Sequence, residues 1–176
     1  MAIIIADAGP FIALAKIGRL TLLQQLFTQV VITQTIKDEV LGTPSHDAHL
    51  ITDALAEGWL QCVPDPKLET VVSRSLGLGE KTAIEYALQS KQEVLLLMDD
   101  TLARKKALHH QLNIVGTCML IYTAENKKLI TNADALIAEM QQKGYRISAQ
   151  VITLVKAQIN YISATNLLNL SCPACV

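Results

Sequence analysis

Ala2-Ile3-Ile4-Ile5-Ala6-Asp7-Ala8-Gly9-Pro10 decides the fold. A short β-branched run predicts a strand, and the glycine and proline that follow break it. Pro10 suits the first turn of a helix, where its missing amide would have had no intrahelical partner. Asp7 is therefore left at the carboxyl end of a strand that turns tightly into a helix. Val94-Leu95-Leu96-Leu97-Met98-Asp99-Asp100 repeats the arrangement. Its continuous apolar run is of the kind buried inside parallel sheets, it closes on a pair of carboxylates, and a helical, basic stretch from Thr101 to Leu112 follows.

The remaining segments read outward from these two strands. Leu20, Leu22, Leu23, Leu26 and Phe27 recur at helical spacing. Val30-Val31-Ile32 predicts a second buried strand, and Thr33 to Leu41 a helix stopped by Gly42, Thr43 and Pro44. A helix from about Asp47 to Glu57, a strand near Trp59 to Val63 and a Pro64-Asp65-Pro66 turn before another helical segment come next. Gly77 and Gly79 punctuate the chain, after which Ala83, Ile84, Ala87 and Leu88 mark an amphipathic helix from Glu80. Ile114-Val115 predicts a last short strand, with helices near Thr117 to Asn126, Ala133 to Gln142 and Ser148 to Ile159. Strands alternating with helices imply an α/β fold with a parallel sheet.

At 176 residues and 51% hydrophobic composition, the chain is long enough for one well-buried core and short for two. The expected domain is 1–159, followed by a tail, 160–176, without a charged side chain. Fifteen basic and sixteen acidic residues leave a net charge of -1, so any nucleic-acid partner must be attracted by a local cluster of positive charge rather than by the whole chain. No apolar run approaches the roughly 18 residues of a membrane span, and the opening segment has neither a basic leader nor an uninterrupted apolar core. These features predict a cytoplasmic protein. Of the four cysteines, Cys62 and Cys118 read as small core residues. Cys172 and Cys175 form a terminal C-P-A-C without the second pair that a zinc site of about four ligands needs.

Asp7 and the Asp99-Asp100 pair end strands at the side of an open α/β sheet where ligand crevices form. Glu39, near the end of the helix after the second strand, and Glu80, at the start of the helix after the glycine turn, are placed to reach the same edge. Carboxylates gathered this way raise one another's proton affinity and stay ionised together only when cations neutralise them. Oxygen ligands without histidine or cysteine favour Mg2+ or Mn2+, and such ions activate water against a phosphodiester. Each acid taken singly also has a structural explanation. Asp99 or Asp100 can cap the helix from Thr101, Glu80 suits a first helical turn, Asp7 can shape the turn at Gly9, and Glu39 beside Asp38 can be solvated surface. Their joint placement carries the functional reading. Arg104, Lys105 and Lys106 follow the acidic pair within one helix and offer a phosphate backbone positive charge, or form an ordinary solvated face. His109 and His110 lack metal-ligand spacing and are assigned no catalytic part. A phosphoacceptor signalling domain would also cluster aspartates at a sheet edge, but with its paired acids early rather than after a late strand.

Four stretches together resemble the PIN-domain family. The strand ending in Asp7 and running into Pro10-Phe11-Ile12-Ala13-Leu14-Ala15-Lys16-Ile17-Gly18-Arg19-Leu20 is similar to that family's opening. Thr35 to Val40 resembles the segment carrying its second acid, Leu78 to Ile84 the third, and Leu97 to Arg104 the fourth; Gly144 to Ser148 also resembles one branch of the family. The resemblance implies a three-layer Rossmann-like sandwich with a central parallel sheet. It also implies a Mg2+- or Mn2+-dependent endoribonuclease, frequent homodimers, and in some members a toxin held by a small antitoxin. Carried over to this sequence, the catalytic acids are Asp7, Glu39, Glu80 and Asp100, with Asp99 either a further metal ligand or a cap. RNA is favoured over DNA as the substrate. Many members carry hydroxyl residues just after the first acid, where this chain has Ala8 and Gly9, and that departure keeps open a catalytically weak module that binds nucleic acid or protein.

Overall fold

The computed structural model describes residues 3–42, 48–69 and 75–164. In chain order the elements are β1 (Ile3–Ala6), α1 (Ala8–Lys16), α2 (Thr21–Leu26), β2 (Gln29–Thr33), α3 (Gln34–Gly42), α4 (Ala48–Ala56), β3 (Leu60–Val63), α5 (Leu78–Gln89), β4 (Val94–Leu97), α6 (Thr101–His109), β5 (Asn113–Val115), α7 (Thr117–Asn126), α8 (Ala133–Gln142) and α9 (Ala149–Ala164). The strands form a five-stranded sheet in the order β3-β2-β1-β4-β5, with every pairing parallel. The α/β fold with a parallel sheet read from the alternation of segments is thus the architecture observed, and it agrees with the sandwich that the family resemblance implies.

Burial explains why these strands are so uniformly apolar. Neighbouring side chains on a strand point to opposite faces, yet every residue of β1 and of β4 is buried, so helices cover the sheet on both sides. Full burial of side chains such as Ile4, Ile5 and Leu96 stabilises the fold by about 1.5–3 kcal/mol each. Phe11 and Leu14, wholly inaccessible on α1, extend the same core. Cys118 lies in it too, its thiol pushed up to about 11 by burial.

The strand order sets where a ligand can sit. The chain moves from β1 to β2 and β3 on one side, then returns to place β4 and β5 on the other. At such a reversal the loops leaving the two central strands diverge and open a crevice at their carboxyl ends. Asp7 directly follows β1 and Asp99 follows β4 after Met98, and the two strand ends are tied there by the Asp7 amide donating to Leu97 O at 2.9 Å.

Differences from the sequence reading are local. The last helix continues to Ala164, past the expected boundary at 159. The helical segment expected after Pro66 falls partly on residues 70–74, outside the described residues, and Lys67 to Glu69 form no helix. The Thr43-Pro44 stop and the Cys172/Cys175 motif also lie outside the described residues.

Candidate active site at the carboxyl edge of the sheet

Helices α1, α5, α6 and α7 all begin at this edge, with Asp7, Gly77, Asp100 and Gly116 at their N-caps. The partial positive charge at each helix start favours an adjacent anion. This gives a local physical reason for so many carboxylates in one place.

Each acid is held by a different device. Asp7 follows β1 directly and is partly buried. Its carboxyl is pushed up from 3.8 to about 6, chiefly by burial; the Ala8 amide opposes the shift, and the charges of Glu80, Glu39 and Asp99 add to it. Glu80 sits in the first turn of α5 and accepts from the Gly77 amide at 2.8 Å, one half of a capping box, since Gly77 has no side chain to supply the other. Burial also raises Glu80; Gly77 again opposes, while Asp100 and Glu39 add to the rise. Glu39 is exposed on α3 and lies over the start of α5, where a Cβ on Gly79 would meet its carboxylate oxygens at 2.9 and 3.1 Å. Buried hydroxyls keep α3 and α5 in this relation. Thr33, at the end of β2, and Thr82, on α5, share a 2.8 Å hydrogen bond, and Thr82 also donates to Gly79 O at 2.9 Å. Asp65 caps α3 from the β3 side, accepting from the Thr35 amide and hydroxyl at 2.9 and 2.8 Å.

The adjacent pair divides its labour. Asp100 is the cap of α6, accepting from the Leu102 and Ala103 amides, both at 2.8 Å and both on Oδ1, so its other oxygen is not consumed by the cap. Asp99, for which the sequence also allows a cap on α6, faces the start of α7 instead. Its Oδ1 accepts from the Thr117 amide at 3.0 Å, and its Oδ2 from the Thr117 hydroxyl and the Tyr145 phenol, each at 2.5 Å. Burial and the neighbouring Asp99 charge raise the Tyr145 phenol far above its ordinary range, so it stays protonated and donates.

Of the basic residues, Arg104 donates to Met98 O at 3.1 Å. Arg104 and Lys105 border a groove of about 350 Å³ that reaches Asp99 and is walled by Leu108, Met119 and Leu154. Lys106 lies in the last turn of α6 and is not among the residues lining that groove. Neither Thr117 nor Tyr145 is assigned a role at the site by the sequence. A threonine opening a helix just after a strand end is a signal that could have found Thr117; Tyr145 falls within the Gly144 to Ser148 stretch that resembles one branch of the family, but its contact with Asp99 spans 46 residues and no local pattern shows it.

Over residues 3–161 the sequence matches the family described as PIN domain. The chain belongs to the PIN-domain family. PIN domains are generally nucleases, and those nucleases generally use divalent metals. No curated protein matches the sequence. The carboxylates at this edge of the PIN domain are of the right chemistry for such a metal, being all oxygen donors, and Asp7 and Glu80 are held above their ordinary range first by burial and then in part by the other acids. As the side chains are placed, no three His, Cys, Asp or Glu among the described residues are grouped tightly enough to grip an ion. Likewise, no helix among the described residues is long and apolar enough to cross a membrane.

Proposed function

We propose that this PIN domain is a metal-dependent nuclease that hydrolyses phosphodiester bonds in single-stranded RNA. Asp7, Glu39, Glu80 and Asp100 are its catalytic carboxylates, and Asp99 joins them as ligands of Mg2+ or Mn2+. The observation that carries this reading is the environment of Asp7. It is a partly buried acid at the sheet's switch point whose proton affinity is raised first by burial and further by the charges of Glu80, Glu39 and Asp99, drawn from distant parts of the chain. Such a group is comfortable as an anion only beside a cation.

When bound, divalent ions supply the lowered proton affinity of water and the charge neutralisation at the leaving oxygen that hydrolysis requires. The chain's own residues gather and orient the acids. The helices that carry Glu39 and Glu80 are tied through Thr33, which bonds the Thr82 hydroxyl on α5 and accepts from the Ile36 amide on α3, and Asp100 is fixed by its cap. Arg104 and Lys105, bordering the groove that reaches Asp99, and Lys106 beyond it, supply positive charge for the phosphate backbone. RNA as the substrate, a toxin restrained by an antitoxin-like protein, and a homodimer are the setting suggested by the family resemblance.

Purified protein with Mg2+ or Mn2+ should cut single-stranded RNA. Asp7→Asn and Asp100→Asn should each slow cleavage by on the order of a hundredfold or more, as loss of a ligand to a catalytic cation does. Undiminished cleavage in both variants would rule the assignment out. RNA held tightly by the wild type but left intact would favour the binding-module reading.

A further inference from the structure

Asp99 is bound by more side-chain hydroxyls than any other acid at the sheet edge, and one of them comes from a part of the chain that contributes nothing to the sheet. Helix α8 ends at Gln142, and two residues on Gly144 has a φ of +90°, in the left-handed region that glycine alone adopts freely. The Gly144 amide donates to Gln141 O and the Tyr145 amide to Met140 O, both at 3.0 Å. Beyond the turn, Gln141 Nε2 reaches forward to Ile147 O at 2.7 Å. The loop is therefore pinned on both sides of Tyr145, and its ring packs against the core. The phenol arrives between the two central strand ends. Its Oη lies 4.0 Å from the position a Cβ would take on Gly9, and Asp7 Oδ2 lies 3.9 Å from that same position.

We propose that Tyr145, together with Thr117, is a positioning residue for divalent-cation binding, holding the Asp99 carboxylate beside Asp7. The inference rests on the nuclease reading and deepens it. Without these donors, the repulsion between the two anions and the freedom of the Asp99 side chain would let the carboxylate turn away into water. Hydrogen bonds that orient a metal-binding carboxylate commonly matter to affinity by about 10- to 100-fold when removed.

Titration calorimetry with Mn2+ alone, in the absence of nucleic acid, tests this. Tyr145→Phe keeps the ring and deletes only the hydroxyl, and should weaken Mn2+ binding by about 10- to 100-fold while the cation-free protein still melts cooperatively. Thr117→Val should weaken it similarly, and Thr117→Ser, which keeps the hydroxyl, should restore most of the affinity. Wild-type Mn2+ affinity in Tyr145→Phe overturns the inference and leaves the nuclease reading standing. If the wild-type protein itself takes up no Mn2+, both fall together.

Discussion

Asp7 is the residue on which the electrostatics of this PIN domain turn, and its position has a measurable thermodynamic consequence. The folded state holds its proton more tightly than the unfolded chain does, its carboxyl being pushed from 3.8 to about 6. The stability conferred by that proton is therefore complete below the lower value and lost as pH rises through the upper one. In cation-free protein, urea denaturation should show a component that declines across this window by at most about 3 kcal/mol. Asp7→Asn should flatten it and, in chelator at pH 7, be the more stable protein; a variant less stable than the wild type would contradict the assignment. Asp7 was visible in the sequence because a β-branched run, a glycine and a proline fix where its strand stops. The division of roles between Asp99 and Asp100 was not. Adjacent carboxylates at a strand end are equivalent in one dimension, and they separate only when α6 and α7 present their amides from different directions.

Among the elements, α5 shows best how packing at a helix start serves the site. Gly79 is a poor helix residue, yet its bare α-carbon is what lets the Glu39 carboxylate lie over the first turn. Gly79→Ala should leave the cation-free protein as stable as the wild type or up to about 1 kcal/mol more so, since alanine is the better helix former and the exposed Glu39 side chain can swing aside. Mn2+ affinity should nevertheless fall by about tenfold as Glu39 is displaced. Denaturation in chelator and a Mn2+ titration on the same preparation check the two halves, and unaltered affinity would refute the placement of Glu39. The elements themselves were largely legible. Helices α7 and α8 have the limits their periodicity suggests, and β4 is unmistakable as an apolar run closed by aspartates. The end of α9 was not, because the stretch after Lys156 carries no charge to mark an outer face. The Thr33–Thr82 bond that joins the end of β2 to α5 spans 49 residues, and no local pattern announces such a contact.

For the molecule as a whole, a site assembled from like charges predicts that its counter-ions should also stabilise the fold. With Mn2+ at about a hundred times its dissociation constant, the native state gains roughly 2.7 kcal/mol. For a chain of this size that should raise the melting temperature by roughly 5 to 10 °C. A thermal scan with and without Mn2+ measures this directly; chelator should reverse the gain and Asp7→Asn should forfeit it. An increase of the same size in Asp7→Asn would place the ion elsewhere. The turn at Gly144 has one more consequence, which concerns time rather than space. All of the acids precede Tyr145 in the chain, so during synthesis they leave the ribosome first, and the phenol that tethers Asp99 emerges only once most of the polypeptide has been made. A growing chain can gather its negative charge early, but it cannot fasten the last of it until the segment beyond α8 arrives.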